Sequence, residues 1–327
     1  MDTYFKVRPY QLMCIFCKTE GGFTDTKEDK KLKKIKDAIA ANPDMPITLV
    51  CNVASNFSYQ NPGLEDDTPE GELYNKKRDI DILQKMGLVP GTTMPARSLL
   101  QKLLKSIESS SGVCGYGNMD SKIWKGCKLA DSGNYEKAHK KGISLIVSER
   151  SEKECLDAKE PSVREMYSAK MLLIRPHHLM CMACFSGGPR GGAPIQEDNL
   201  FEAIDIIRKN PEIPVKLIEG PCMVCSPCKV YLPEKNICVG GSSMALRDEK
   251  KDLDVLQKLG LKYGDVLSGK ELYQKLFTKI KSTKEICGFG DGIARSYEWT
   301  GCGMDGYPVY EKVRKEGMKI PGLKIKE

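Results

Sequence analysis

The chain lacks long apolar runs and is poor in histidine. Its 327 residues are 40% hydrophobic and 29% charged, a balance typical of a folded globular protein rather than a disordered one. Polar, charged or proline residues interrupt every apolar run well before the roughly 18 residues that a membrane helix needs, so we expect no role in a membrane. The start, Met1–Lys6, shows no basic segment followed by an apolar stretch, so no secretory signal is expected. We therefore expect a cytoplasmic protein.

Motifs for nucleotide cofactors are also missing. No Gly-x-Gly-x-x-Gly follows a predicted strand, no Gly-Lys-Ser/Thr phosphate loop occurs, and the three-residue gap of a radical-SAM cysteine triplet is absent. Nucleotide cofactors are therefore not indicated. The net charge of +7 is shared between both halves of the chain, so nucleic acid is not an expected partner.

Two halves of the chain repeat the same motifs in the same order. The matching pairs are 8–17 with 175–184, 42–46 with 210–214, 79–88 with 252–261, 114–117 with 287–290, and 126–127 with 301–302. Collinear matches of this kind indicate an internal duplication. We predict a degenerate repeat over residues 1–147 and a cysteine-rich metal-binding repeat over residues 171–327. A pseudo-twofold relation between them and a charged linker over residues 148–170 are also expected.

The local patterns predict an α+β fold that is mostly helical, with cysteine-rich loops. Pro176 suits the first turn of a helix, and Gly260 and Ser268 suit a helix end and a helix start. The predicted helices and strand of the second half are Leu200–Lys209, Arg247–Leu259, Lys270–Ile280 and Val309–Lys315, with a strand at Val215–Ile218.

Fourteen cysteines are the strongest chemical signal. In a reducing compartment, clustered cysteines indicate metal binding or thiol chemistry rather than disulfides. Four positions are shared by the halves: Cys14, Cys17, Cys114 and Cys127 in the first, and Cys181, Cys184, Cys287 and Cys302 in the second. The first half either keeps a four-cysteine metal site or serves as a structural partner.

The second half adds the run Cys222, Cys225 and Cys228. Ferredoxins open with the same Cys-x-x-Cys-x-x-Cys spacing, in which thiolates bind the irons of a [4Fe–4S] cluster. Here the fourth ligand must come from farther away, and Cys238 is the nearest candidate. We predict an iron–sulfur cluster that serves electron transfer or chemistry at an open iron. A zinc-stapled binding module without catalysis is the alternative, because such cysteines also form tetrahedral zinc sites.

Residues around these cysteines are candidates for supporting roles. His177 and His178 are candidate acid–base groups, since they form the only histidine pair. Arg175 is a candidate cofactor-binding residue, and its guanidinium is expected to pair with a carboxylate or an anion, as is that of Arg8 at the matching position.

Two further features leave the function open. Gly288 and Gly290 lie in a glycine-rich loop whose backbone amides could approach a cluster sulfide or another anion. Cys181 and Cys184 fall on one face of a predicted helix, so a thiol–disulfide redox protein is a second alternative. The partner would be a redox protein or a small-molecule substrate.

Taken together, these residues resemble an uncharacterised family of small cysteine-rich proteins from bacteria and archaea. The family pattern begins Arg-Pro-His-His-Leu-x-Cys, as in Arg175–Cys181. Its later positions are matched here by Gly220, Pro221, Cys225, Cys228, Cys238, Asp254–Leu261, Cys287, Trp299 and Cys302. The resemblance implies iron–sulfur binding and no particular reaction. Gly290 stands where the family has a cysteine, and Cys184 and Cys222 are additional, so the family's ligand set is not carried over whole.

Overall fold

The structure is a computed structural model in which the chain forms two compact units, Met1–Ser148 and Glu149–Glu327. It describes residues 5–53, 62–63, 67–117, 121–189, 191, 193–291, 293, 296–299 and 308–325. Helices predominate and the strands are short, so the α+β, mostly helical class predicted from the sequence is confirmed.

The first unit packs helices against a three-stranded sheet. Strand β1 pairs in parallel with β2, and β2 pairs antiparallel with β3. The described elements, in chain order, are β1 (Phe5–Val7), α1 (Pro9–Gly21), α2 (Lys27–Ala41), β2 (Pro46–Leu49), α3 (Glu72–Met86), β3 (Thr93–Pro95), α4 (Ala96–Ser106) and α5 (Asn134–Lys141). Helix α1 lies against both α3 and α5, which is why Leu12, Ile15 and Phe16 are fully buried.

The second unit has the same pairing directions in its own three-stranded sheet, with β4 parallel to β5 and β5 antiparallel to β8. A separate hairpin joins β6 to β7. The described elements are α6 (Glu152–Ser168), β4 (Leu172–Ile174), α7 (His178–Gly187), α8 (Leu200–Lys209), β5 (Pro214–Leu217), β6 (Tyr231–Leu232), β7 (Ile237–Cys238), α9 (Leu246–Leu259), β8 (Val266–Ser268), α10 (Gly269–Lys279) and α11 (Val309–Glu316). Its core includes Tyr273, Phe277 and Tyr310.

Most predicted elements of the second half occur within one or two residues of their expected bounds. Helix α8 spans the predicted Leu200–Lys209. Gly260 ends α9 in the left-handed conformation with φ 65°, and the Ser268 side chain caps α10 by accepting a hydrogen bond from the Glu271 amide. Local sequence rules were sufficient here because each signal acts within one turn of its helix.

The charged segment predicted as a linker over residues 148–170 contains a helix. Helix α6 begins after Ser151, whose side chain accepts a hydrogen bond from the Glu154 amide, and it packs against α8. It is included in the second unit. No described helix, α6 included, is both long and apolar enough to cross a membrane.

Gly126 provides a test of the first unit's packing. Its φ is +92°, and a Cβ there would lie 2.6 Å from the Cys114 carbonyl oxygen. Gly112 has a φ of +73°, and a Cβ added to it would meet no atom within 4 Å. Alanine at either position must adopt a positive φ, which destabilises the fold by about 1–2 kcal/mol. In Gly126→Ala the clash with the Cys114 carbonyl adds an overpacking cost of about 1–3 kcal/mol. Thermal unfolding followed by circular dichroism should therefore show a clearly lower midpoint for Gly126→Ala than for Gly112→Ala. Equal midpoints in the two variants would contradict this packing.

Candidate metal centre

The four cysteines at 222, 225, 228 and 238 lie in a loop between β5 and α9. A 3-10 turn, Met223–Cys225, opens the run. The Cys225 amide donates to the Cys222 carbonyl at 2.8 Å, and the Cys228 amide donates to the Cys225 carbonyl at 2.9 Å. Cys238 lies in β7, opposite Tyr231 in β6. Successive turns and the hairpin therefore keep the four residues within one short loop.

The first residue of helix α7 approaches this loop. His178 Nδ1 lies 3.1 Å from Cys222 Sγ. The ligand atoms of His178, Cys222 and Cys225 all lie within 4.8 Å of one another, and no other set of three histidine, cysteine or acidic ligands does so in the described part of the chain. The structure thus forms a possible histidine–cysteine metal site in which His178 lies 44 positions before Cys222 in sequence.

The side chains of Cys222 and Cys225 are hydrogen-bonded to each other. Burial alone would raise the pKa of Cys222, but hydrogen bonds from the Cys225 thiol and from the backbone amides of Arg175 and Val224 outweigh it and lower this pKa. The hydrogen bond to Cys222, together with burial, raises the pKa of Cys225. Because metals bind thiolates, a metal ion that displaces the thiol protons makes both residues ligands.

Cys228 and Cys238 lie beside this group rather than within it. Burial raises the pKa of Cys228 to about 11, and a negative charge on Cys225 or Cys238 adds to the effect. Burial also raises the pKa of Cys238, with further contributions from Asp248 and Cys225. A negative charge on one of these sulfurs therefore disfavours ionisation of the next, and a bound cation relieves this repulsion.

Asp252 of helix α9 fixes the start of α7. Its carboxylate accepts hydrogen bonds from Arg175 Nε at 2.8 Å and Nη2 at 2.6 Å. It also accepts from the His177 backbone amide at 2.8 Å. The predicted pairing of Arg175 with a carboxylate is confirmed, as is that of Arg8, whose Nε lies 2.7 Å from Asp79 Oδ2. The Arg175 guanidinium is thus committed to Asp252, while its backbone amide reaches Cys222; cofactor binding by Arg175 stays a prediction.

His177 supports His178 rather than reaching the cysteines. Its Nδ1 donates to Asp252 Oδ1 at 2.8 Å, since a carboxylate has no proton to give. Burial lowers the pKa of His177 to about 4, although Asp252 opposes the shift, so the ring is neutral near neutral pH. Its ring packs edge-to-face on that of His178 with the centroids 4.7 Å apart. Asp252 therefore orients His178 through His177. Acid–base roles for either histidine stay predictions.

The outer cysteines of the second unit line a different cavity. Cys181, Cys184 and Cys287 border a space of about 310 Å³, and Cys302 lies outside the described residues. Gly288 and Gly290 follow Cys287, but their amides donate within the local turn, to the Thr283 and Lys284 carbonyls. A metal or redox role for this set stays a prediction.

The corresponding cysteines of the first unit are also brought together. Cys14, Cys17, Cys114 and Cys127 line one cavity of about 460 Å³. In contrast to the second-unit group, no three of their sulfurs lie within 4.8 Å of one another. The two units therefore offer cysteines at different spacings.

The sequence did not identify three residues that lie at or near the candidate site, namely Asp252, Arg150 and Cys155. Asp252 lies in a repeated motif and matches Asp79, so its position was the available signal. Arg150 donates to the carbonyls of Ser226 and Cys228, which ties the cysteine loop to the residues before α6. Cys155 borders a cavity that Cys228 also lines. Neither of the last two contacts has a local sequence signal.

Comparison with known proteins adds one family match. Residues 197–290 match the model of a family described as "Protein of unknown function (DUF1284)". The matched stretch includes the cysteine loop and Cys287, but neither Arg175–Cys181 nor any of the first unit. No curated protein and no solved structure matches the chain. Similarity thus links this part of the chain to an uncharacterised family and gives it no activity.

Removing the Asp252 charge should destabilise the second unit strongly. Asp252→Asn leaves Arg175 buried without a counter-charge, which typically costs about 3–5 kcal/mol. Asp254→Asn is the matched control, because its pair with Lys250 is partly exposed and is worth less than about 1 kcal/mol. Urea unfolding should be followed by Trp299 fluorescence in a Trp124→Phe background, so that only the second unit reports. A similar loss in both variants would contradict the role given to Asp252.

Proposed function

We propose that the second unit binds a single metal ion through His178, Cys222 and Cys225, and that this ion is zinc. The observation that carries the proposal is the mutual 4.8 Å spacing of the three ligand atoms. Ligands at roughly 2.0–2.3 Å from a tetrahedral zinc lie about 3–4 Å apart, so small side-chain movements suffice to close the shell. In a cluster each cysteine binds its own iron, and its ligands are therefore spread more widely.

Cys228 or Cys238 supplies the fourth ligand in this proposal. Four protein ligands leave no position for substrate, which is typical of a structural zinc site. Among its described elements, the loop from β5 to α9 contains only a 3-10 turn and a hairpin of two short strands, β6 and β7. Binding of zinc contributes directly to folding in such segments. The resulting function is that of a zinc-stapled binding module, with the metal holding the cysteine loop against α7.

The second candidate is a [4Fe–4S] cluster on Cys222, Cys225, Cys228 and Cys238. It is supported by the ferredoxin-like spacing of the first three and by the electrostatic coupling of Cys228 and Cys238 to Cys225. In that case His178 donates a hydrogen bond to Cys222 instead of binding metal. The role would then be electron transfer with a redox partner, or chemistry on a small-molecule substrate at an open iron.

We also propose that the two units derive from one duplicated module of the family with the Arg-Pro-His-His-Leu-x-Cys signature. Their sheets share strand order and direction. The Arg8–Asp79 pair of the first unit has the same place in sequence order as the Arg175–Asp252 pair of the second. Tyr10 and Gln11 replace the histidines in the first unit, which is why the zinc proposal is confined to the second.

The two candidates differ in what His178 does, and this allows a direct test. His178→Ala should remove about one zinc per chain and abolish the thiolate bands of the cobalt-substituted protein, because it deletes a ligand. Cys225→Ser should do the same. His139→Ala and Cys51→Ser are matched controls from the first unit and should leave the metal content unchanged.

The same samples identify the cluster if it is present. Protein purified without oxygen is analysed for iron, zinc and acid-labile sulfide. Iron and sulfide that persist in His178→Ala but disappear in Cys225→Ser would replace the zinc proposal with the cluster. Zinc that persists in both variants would contradict a metal site at this position.

A further inference from the structure

The cavity of the first unit is formed by four thiols and a buried cation. Its lining includes Cys14 and Cys17 from helix α1, Cys114 and Cys127 from the loops after α4, and Arg78 from α3. The volume is about 460 Å³, whereas a cavity of roughly 150 Å³ already accommodates a benzene molecule. The space is therefore large enough for a polyatomic guest.

The distances between the four sulfurs indicate which kind of ligand the cavity can bind. All four cysteines line this one cavity, so the four thiols surround a common space. Yet no three of the sulfurs lie within 4.8 Å of one another. One zinc ion needs all four ligands at short mutual distance. An iron–sulfur cluster binds one or two cysteines per iron, and its ligands are therefore spread around an inorganic core.

Arg78 is a buried charge that pairs with no carboxylate among the described residues. The residue is 1% exposed, and it forms no ion pair with any carboxylate in the described part of the chain. Its Nη2 donates to Asn75 Oδ1 at 2.6 Å, and its guanidinium lies over the rings of Tyr10 and Tyr74. Its Nε has no hydrogen-bond partner. An uncompensated buried cation is costly, and here it lines a cavity bordered by thiols.

The loops that carry Cys114 and Cys127 are locked to each other. The Cys127 amide donates to the Cys114 carbonyl at 2.8 Å. The Tyr74 hydroxyl donates to the same carbonyl at 2.8 Å and accepts from the Cys127 amide at 3.1 Å. The Leu129 amide approaches Cys127 Sγ at 3.5 Å. The backbone that carries two of the four cysteines is thus held in place before any ligand arrives, as a preorganised binding site requires.

We infer that the first unit holds an iron–sulfur cluster on Cys14, Cys17, Cys114 and Cys127, with Arg78 as its buried counter-ion. A cluster with four thiolate ligands is an anion and supplies the charge that Arg78 lacks. At the cavity rim, Lys18 and Lys128 balance Glu28 and Glu70, which leaves Arg78 as the net positive charge. The site is independent of the zinc proposal, because it shares no residue with it.

The test uses the full chain carrying Cys222→Ser and Cys225→Ser, so that the proposed centre of the second unit is disabled. Protein is purified without oxygen from iron-supplied cells and analysed for iron, zinc and acid-labile sulfide. We expect iron and sulfide in equal amounts, about two to four of each per chain. Adding Cys17→Ser or Cys114→Ser should abolish both, whereas Cys51→Ser, a buried cysteine outside the cavity, should leave them unchanged. Circular dichroism checks that each variant is folded.

The counter-ion role of Arg78 is tested by measuring the reduction potential of the cluster. Reduction by dithionite adds negative charge, which the guanidinium favours, so Arg78→Gln should shift the midpoint to more negative values and Arg78→Lys should restore part of the shift. A structural role alone would leave the potential unchanged. The inference is overturned by zinc without sulfide in the parent protein, by a cluster that survives Cys17→Ser and Cys114→Ser, or by a cluster lost equally in Cys51→Ser. An unchanged potential in Arg78→Gln overturns the counter-ion role.

Discussion

A buried arginine–aspartate pair at the start of one helix determines the arrangement of the second unit's site. Asp252 holds the Arg175 guanidinium and the first amide of the helical turn, and through His177 it orients His178. The Arg175 amide, fixed by the same pair, is a donor to Cys222. Charges buried in this way stabilise a fold only when every polar atom finds a partner. The pair therefore links helix α7, helix α9 and the cysteine loop in one polar array.

Each proposed site contains a Cys-x-x-Cys pair, but the ligand atoms of the two sites lie at different mutual distances. In the second unit, histidine and two thiols converge closely enough to share one ion, because a helix start meets a tight turn. In the first unit, α1 and two locked loops hold four thiols around an open cavity with Arg78 on its wall. The proposed zinc site uses three sulfurs and the His178 imidazole, whereas the proposed cluster uses four sulfurs beside a buried cation. The ligand set, the backbone that carries it and the charge beside it therefore distinguish the two sites.

Sequence reasoning succeeded where the signal is local. Helix α8, the Gly260 helix end and the Ser268 cap each depend on neighbours within a turn, and the need of Arg175 for an anion follows from its chemistry. The sequence could not reveal that Asp252 is that anion, or that His178 meets Cys222, because both contacts depend on how distant helices pack. Arg78 belongs to no motif. Its significance comes from its burial away from every carboxylate that the structure describes, which is a property of the tertiary structure alone.

With the cluster that we infer in the first unit, the buried Arg78 would tie the maturation of this protein to the supply of inorganic sulfur. A newly made chain that folds without its guest must keep a guanidinium in a dry interior or open up to hydrate it. Opening exposes the surrounding apolar residues, and exposed segments are what proteases cleave. A copy that never receives its cofactor would thus be short-lived, so the cellular amount of this protein would follow cofactor supply without any dedicated regulator.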